Sequence, residues 1–110
     1  MELHYKSRKL EKTLTDDKQL CKSYGTLAKK IKQRINQLKS ADNLGTIAQL
    51  PVLRLHPYKA DPKGLWSIDI QQNWRILFTI GNNPLPVSED GCINIKEVTI
   101  IKIEQLTDPH

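Results

Sequence analysis

Residues 53–78 read LRLHPYKADPKGLWSIDIQQNWRILF, and the second half of this stretch predicts a β-hairpin. Large apolar side chains recur at every second position in two runs: Trp66, Ile68, Ile70 and then Trp74, Ile76, Phe78, Ile80. Such alternation is typical of strands with one buried face. Gln71 and Gln72 are predicted to form the turn between the runs. The two tryptophans share their faces with apolar residues, so we expect them in the core and not as platforms for RNA bases.

The first half of the stretch is dense in groups that bind phosphate or carry protons: Arg54, His56, Lys59 and Lys63. Alternation over residues 51–56 predicts a strand in which His56 faces away from Leu53 and Leu55. Prolines and a glycine over residues 57–64 predict a loop that carries the two lysines.

Arg75 lies inside the second strand of the hairpin. By strand parity it faces the side opposite Trp74 and Ile76.

The chain before this stretch predicts a strand and two helices. Residues 2–5 alternate as a short strand, Ser7 is the expected cap of a first helix, and Thr15 is the expected cap of a longer second helix. The second helix has an apolar stripe: Leu20, Tyr24, Leu27, Ile31, Ile35, Leu38. Gly25 falls inside it. The rest of the helix surface carries six basic residues, and they are either exposed to water or bind phosphate: Lys22, Lys29, Lys30, Lys32, Arg34, Lys39.

The remaining segments complete the predicted fold. Residues 44–48 suggest one helical turn, and residues 81–91 suggest a long exposed loop. Residues 93–106 suggest a last strand whose alternation slips, which indicates either a β-bulge or burial on both faces. The sequence therefore predicts one α+β domain over residues 1–110, with an N-terminal strand and two helices packed on a small, mostly antiparallel sheet.

Composition limits the partners. The chain has 110 residues and a net charge of +5, and its basic surplus lies before Leu65, which indicates either a nucleic-acid partner or a solvated basic helix. Cys21 and Cys92 lie far apart without a CxxC motif, which is typical of a reducing cytosol. No apolar run is long enough to cross a membrane.

The residues favour RNA cleavage without a metal. His4, His56 and His110 show no metal-ligand spacing, and no cofactor motif is present. RNA supplies its own nucleophile, the 2′-OH, so cleavage needs proton carriers and a cation on the phosphate. The candidate proton carriers are His56, Lys59 and His110, and the candidate phosphate ligands are Arg75 and Lys63.

Each of these residues also has an ordinary structural interpretation. His56 is then a surface histidine, Lys59 and Lys63 are solvated loop residues, and Arg75 pairs with Asp69 across the hairpin.

Residues 53–78 resemble the HigB branch of the RelE/ParE toxins, whose members look like LxxHPLKGDRKGxWSVxxxxNWRIxF and close with Asp-Tyr-His. This chain closes with Asp108-Pro109-His110. The resemblance implies a RelE/ParE-like fold and an mRNA interferase, a toxin that cuts mRNA in the ribosomal A site by 2′-OH attack. It further implies neutralisation by a helix-turn-helix antitoxin of the HigA type. The lone cysteines and the lack of a cofactor motif agree with a cytoplasmic protein without a cofactor.

The resemblance also assigns residues. The positions that match residues linked to catalysis are His56, Asp108 and His110. Those that match basic positions of the active-site face are Lys59 and Arg75. The expected RNA-binding residues are Lys63 and Arg54. Ala60, Pro62 and Pro109 stand where the family has Gly, a basic residue and Tyr.

A second reading stays open. In it, the chain is a relative on the same scaffold that does not cut RNA: either a ParE-like toxin that acts on gyrase or, lacking the family's Tyr, a catalytically weakened module that binds its antitoxin.

Overall fold

The computed structural model describes residues 1–58 and 64–108. Its strands are β1 (Glu2–Tyr5), β2 (His56–Pro57), β3 (Trp66–Gln71), β4 (Trp74–Ile80) and β5 (Ile100–Thr107), and its helices are α1 (Arg8–Thr15), α2 (Asp17–Tyr24), α3 (Ala28–Ser40) and α4 (Leu44–Ala48). These strands form one sheet in the order β1-β5-β4-β3-β2. β1 is parallel to β5, and the other neighbouring pairs are antiparallel. The predicted α+β fold with a mostly antiparallel sheet is therefore confirmed.

The long second helix predicted from the apolar stripe is interrupted, and this prediction is wrong. Gly25 has φ +56°, a backbone conformation that ends α2, and its N–H donates to the carbonyl of Cys21. A 3-10 turn, Gly25–Leu27, then leads into α3. The helical turn predicted at residues 44–48 is present as α4. Among the residues that the structure describes, no helix has the length and apolarity needed to cross a membrane.

The helix caps confirm one prediction and correct another. Ser7 caps α1 as predicted, because its Oγ accepts from the Leu10 N–H at 3.0 Å. Thr15 is not the cap of α2; it is the last residue of α1. Asp16 is the cap instead, and its carboxylate accepts from the Lys18 N–H at 3.0 Å. A carboxylate at this position opposes the positive end of the helix dipole.

The strand predicted over residues 51–56 is wrong. A 3-10 turn occupies Pro51–Leu53, and Arg54 follows with a left-handed backbone, φ +46°. Proline suits the start of such a turn because its φ is already helical and it has no N–H to satisfy. The turn buries Leu53 completely. His56 therefore enters the sheet directly after a tight turn.

The predicted hairpin is present as β3 and β4, but its turn lies one residue later than predicted. Gln71 pairs with Trp74, so Gln72 and Asn73 form a two-residue turn. Gln72 has φ +51°, as such turns require.

The last strand is shorter than predicted. β5 begins at Ile100, and the residues before it contain a 3-10 turn, Ile95–Glu97. The loop over residues 81–91 is anchored at its start, because Asn82 Oδ1 accepts from the N–H groups of Thr99 and Ile100, each at 3.0 Å.

Two β-bulges shape the sheet. The pairing of β3 with β4 shifts between Asp69 and Gln71, which makes Ile70 an additional residue. The pairing of β4 with β5 shifts at Leu77 and Phe78, which makes Glu104 an additional residue in β5. The slipped alternation of β5 is therefore a β-bulge, and the alternative, burial on both faces, is wrong because Lys102 and Gln105 are exposed.

The core lies between the helices and one face of the sheet. Its fully buried members include Ile31 and Leu38 of α3 and, from the strands, Ile68, Ile76, Phe78, Ile101 and Ile103. Trp74 meets Tyr24 edge to face, with ring centroids 5.9 Å apart. Trp66 and Trp74 both pack against this core, as predicted. The opposite face of the sheet is left for the polar strand residues.

Candidate functional site

His56 and Arg75 lie on the sheet face away from the helices. Directly paired residues of neighbouring strands share a face. One row across the sheet contains His56, Ser67, Leu77 and Gln105, and the next row contains Asp69, Arg75 and Thr107. We call the surface formed by these two rows the open face.

The two residues are close enough to contact one nucleotide. His56 is level with Leu77, which lies two residues from Arg75 on β4, and β2 and β4 are separated by one strand. With strands about 4.8 Å apart and a rise of about 3.3 Å per residue, the Cα atoms of His56 and Arg75 are about 12 Å apart. An imidazole and an extended guanidinium can reach toward each other across this distance.

Arg75 is not neutralised by the acid that faces it. Asp69 is its cross-strand partner, but within the described residues the Asp69 carboxylate pairs with Arg54, whose Nη1 lies 3.5 Å away. The alternative prediction that Arg75 pairs with Asp69 is therefore wrong. Arg75 Nε is buried and has no hydrogen-bond partner in the described part of the chain. Leaving such a nitrogen unpaired is unfavourable.

His56 is oriented by the turn before it. Its Nδ1 lies 2.5 Å from the carbonyl oxygen of Arg54. A carbonyl can only accept a hydrogen bond, so Nδ1 carries the proton, and the lone pair of the neutral ring is on Nε2. Nε2 is therefore the nitrogen able to accept a proton from a substrate.

Arg34 supports the site from behind, and sequence reasoning missed it. It was predicted on the basic outer surface of the second helix, but it is only 4% exposed. Its Nε donates to the Asp69 carbonyl at 2.9 Å, and its Nη2 donates to the Ile70 carbonyl at 3.1 Å. Burial lowers the pKa of Arg34, and the charge of Asp69 opposes that shift. The guanidinium thus connects α3 to the bulge in β3.

A signal for Arg34 is present in the sequence. It lies three residues after Ile31 and four before Leu38, so it belongs to the buried side of the helix and not to its solvated side.

The middle of the open face is shielded from solvent. Leu77 is buried here although it lies outside the main core, and Ser67 beside it is fully buried. Charged groups beside such a surface interact more strongly than charges in water, because the local dielectric constant is lower.

The described residues offer thiols but no metal-binding cluster. Cys21 and Cys92 form no disulfide, as expected from their separation in the sequence, and both are exposed. Across residues 1–58 and 64–108, no three His, Cys, Asp or Glu side chains are grouped to hold a metal ion.

Comparison with known protein families decides the relationship. Residues 3–87 match the model of the HigB-like toxin family, described as the RelE-like toxin of the type II toxin-antitoxin system HigB. The chain belongs to the HigB-like toxin family. This result confirms the resemblance found in residues 53–78.

One relative of this HigB-like chain is Endoribonuclease HigB of Proteus vulgaris, which is 36% identical over 53 residues. The aligned region covers 48% of this chain and 56% of the relative. The chain thus matches about half the length of that protein.

The structure describes only some of the other residues that the sequence predicted for the site. Lys59, Lys63 and His110 lie outside the described residues. Asp108 is exposed and directly follows Thr107, the cross-strand partner of Arg75, so the chain leaves the sheet beside Arg75. The side chain of Arg54 is 66% exposed while it contacts Asp69. The family match contains the positions of His56 and Arg75 and ends before Asp108.

Proposed function

We propose that this HigB-like chain is the toxin of a type II toxin-antitoxin system and acts as a ribosome-dependent mRNA endonuclease in the cytoplasm. Its proposed partners are the ribosome, the mRNA in the A site and an antitoxin of the HigA type with a helix-turn-helix domain. Membership of the family supports the toxin role, and the chemistry of the open face supports RNA as the substrate.

The proposed reaction is cleavage by the neighbouring hydroxyl. A base removes the 2′-OH proton, the 2′-oxygen attacks the adjacent phosphorus, and the bond to the 5′-oxygen breaks as an acid protonates that oxygen. The products are a 2′,3′-cyclic phosphate and a 5′-OH end. Because the nucleophile belongs to the RNA, no metal is needed to activate water.

The proposed roles follow the chemistry of each side chain. The proposed proton carriers are His56, Lys59 and His110, and Asp108 is a further catalytic residue. The proposed ligand of the reacting phosphate is Arg75. The proposed contacts to the rest of the RNA are Arg54 and Lys63. Arginine suits the phosphate because its planar fork can bind two oxygens at once.

One observation carries the proposal. Arg75 shares the open face with His56, and its cross-strand acid, Asp69, is engaged by Arg54. Negative charge that develops on a phosphate at this place would meet a cation that does not pair with Asp69.

The test is cleavage on programmed ribosomes. We expect the purified protein to cut the bound mRNA at discrete positions and to leave cyclic phosphate ends. A transcript with a single 2′-deoxy nucleotide at the cut site should remain intact there. His56→Ala and Arg75→Ala should each lower the rate by about 10²- to 10³-fold.

Other outcomes would contradict the proposal. Intact transcripts with the wild-type protein exclude the endonuclease. Linearised plasmid or blocked supercoiling by gyrase, without RNA cuts, selects a ParE-like action. Binding of the antitoxin without either activity selects the catalytically weakened module.

A further inference from the structure

A series of side-chain and backbone contacts connects Arg34, Asp69 and Arg54 to His56. Arg34 holds the backbone of Asp69, the Asp69 carboxylate contacts the guanidinium of Arg54, and the Arg54 carbonyl accepts from His56 Nδ1. We propose that Asp69 is a positioning residue which, through Arg54, keeps His56 in the orientation and tautomer that present Nε2 to the substrate. This inference rests on the proposed function.

The first step concerns the backbone of Arg54. Its φ of +46° is uncommon for a residue with a side chain, because Cβ crowds the neighbouring carbonyl. The Arg54 N–H donates to the Pro51 carbonyl at 3.1 Å, which closes the turn. The contact of its guanidinium with Asp69 is a second restraint on the same residue. Both restraints favour the conformation that aims the Arg54 carbonyl at His56.

The second step concerns the rigidity of Asp69. Ion pairs between two mobile surface side chains contribute little, because both must be ordered. Asp69 is different: its side chain is only 18% exposed, and its carbonyl is held by the buried Arg34. The β-bulge at Ile70 is held by the same guanidinium. Asp69 is therefore a fixed point against which the exposed Arg54 side chain is ordered.

The third step concerns the ring. In the neutral imidazole, a proton on Nδ1 leaves Nε2 as the acceptor. Without the Arg54 carbonyl in place, the ring can rotate and exchange tautomers, and the fraction with Nε2 ready to accept falls. Misplacement of a reacting group by about 1 Å can slow a reaction by roughly 100-fold.

The decisive comparison is Arg54→Ala against Arg54→Gly. Both variants remove the guanidinium and any contact that it makes with RNA, but only glycine adopts the left-handed backbone without strain. We expect nitrogen-15 NMR of His56 to show the Nδ1-protonated tautomer in the wild type and in Arg54→Gly, and a mixture in Arg54→Ala. Single-turnover cleavage at saturating protein should be about 10- to 100-fold slower for Arg54→Ala than for Arg54→Gly.

Asp69→Asn tests the other end of the contact. It should resemble Arg54→Ala in the tautomer mixture and in slower cleavage. The double variant Asp69→Asn/Arg54→Gly should recover the tautomer, and its rate should match that of Arg54→Gly. The matched control is Glu104→Gln, which removes another carboxylate of similar exposure, 19%, that pairs with Lys102 on β5. It should leave the spectrum of His56 unchanged. Gln72→Gly, at another left-handed residue, should not rescue Asp69→Asn.

Two results would overturn the inference. One is an unchanged tautomer of His56 in Asp69→Asn, and the other is an equal tautomer mixture in Arg54→Ala and Arg54→Gly. Loss of cleavage in Asp69→Asn without rescue by Arg54→Gly would assign Asp69 a direct contact with RNA instead. The spectra are recorded without ribosomes, so they decide the positioning role even if the wild-type protein cuts no mRNA, which would contradict only the proposed function.

Discussion

Arg34 and Asp69 are joined by a hydrogen bond of 2.9 Å from the guanidinium Nε to the backbone carbonyl, although 35 residues separate them in the chain. The bond crosses from α3 to β3, and the same side chain also bonds Ile70 and Gln37. A buried cation is unfavourable unless its donors are satisfied. Here all three nitrogens have acceptors, so the contact links the helical layer to the strand behind the open face.

Replacing this cation should destabilise the fold. Arg34→Met fills a similar volume but removes the guanidinium donors to the carbonyls of Asp69 and Ile70. We expect the free energy of unfolding in urea to fall by about 2 to 4 kcal/mol. Lys29→Met, at an exposed position of the same helix, should change it by less than about 0.5 kcal/mol. Equal stability of the two variants would contradict a structural role for Arg34.

Replacing Arg75 should impair activity without destabilising the fold, unlike replacing Arg34. Its Nε is buried without a hydrogen-bond partner in the described residues, so the folded state gains little from it. Arg75→Met should leave the free energy of unfolding unchanged or raise it by up to about 1 kcal/mol, while mRNA cleavage falls at least about 100-fold. The two measurements are urea denaturation and the ribosome assay. A large loss of stability would instead indicate that Arg75 is part of the fold.

Asn82 should stabilise the start of β5. Its Oδ1 accepts from two backbone N–H groups, those of Thr99 and Ile100. Asn82→Ala removes both acceptor contacts and should lower the free energy of unfolding by about 1 to 2 kcal/mol. Asn82→Asp keeps an acceptor oxygen at this place and should retain most of the stability. The idea fails if the Ala and Asp variants unfold at the same urea concentration.

Stability should decline in alkali partly because of Tyr24. Burial raises the pKa of Tyr24 above its ordinary value of 10.0, since the phenolate is poorly solvated. This shift stabilises the fold below pH 10 and its contribution is lost as the pH rises through the folded-state pKa. Tyr24→Phe keeps the ring against Trp74 without the ionisable hydroxyl, so its free energy of unfolding should fall less steeply above about pH 10.

Tyr5 is a second tyrosine whose ionisation should lower stability in alkali. Its pKa is raised first by burial and then by the charge of Glu11, and its hydroxyl has no hydrogen-bond partner among the described residues. Tyr5→Phe should therefore show the same weaker alkaline loss without destabilising the protein at neutral pH. Urea titrations over this pH range measure both variants, and a steeper alkaline decline in either would contradict the assignment.

Local patterns were sufficient for much of the fold. Alternation located β3 and β4 and the face of Arg75, and the helical stripe identified buried residues such as Ile31 and Leu38. The same stripe hid the break at Gly25, because a 3-10 turn keeps the apolar side chains on nearly the same side as a continuous helix. Spacing alone therefore cannot distinguish the two.

The features that escaped prediction depend on distant partners. The left-handed Arg54 has no propensity signal, because arginine rarely adopts this backbone unless its surroundings hold it there. The burial of Arg34 depends on carbonyls exposed by a bulge more than 30 residues away. His56 and Arg75 share a face as the sequence suggested, although the strand expected around His56 is replaced by a turn and its face is set by its pairing with Ser67.

The parallel pairing of β1 with β5 has a consequence for synthesis. β5 is the last strand in chain order, yet it lies between β1 and β4 in the finished sheet. While a ribosome is still translating the β5 region, β1 has no strand beside it, β4 lacks a neighbour, and the open face lacks Gln105 and Thr107. Joining segments so far apart in the chain is also slow. The open face is thus completed only after β5 has been synthesised.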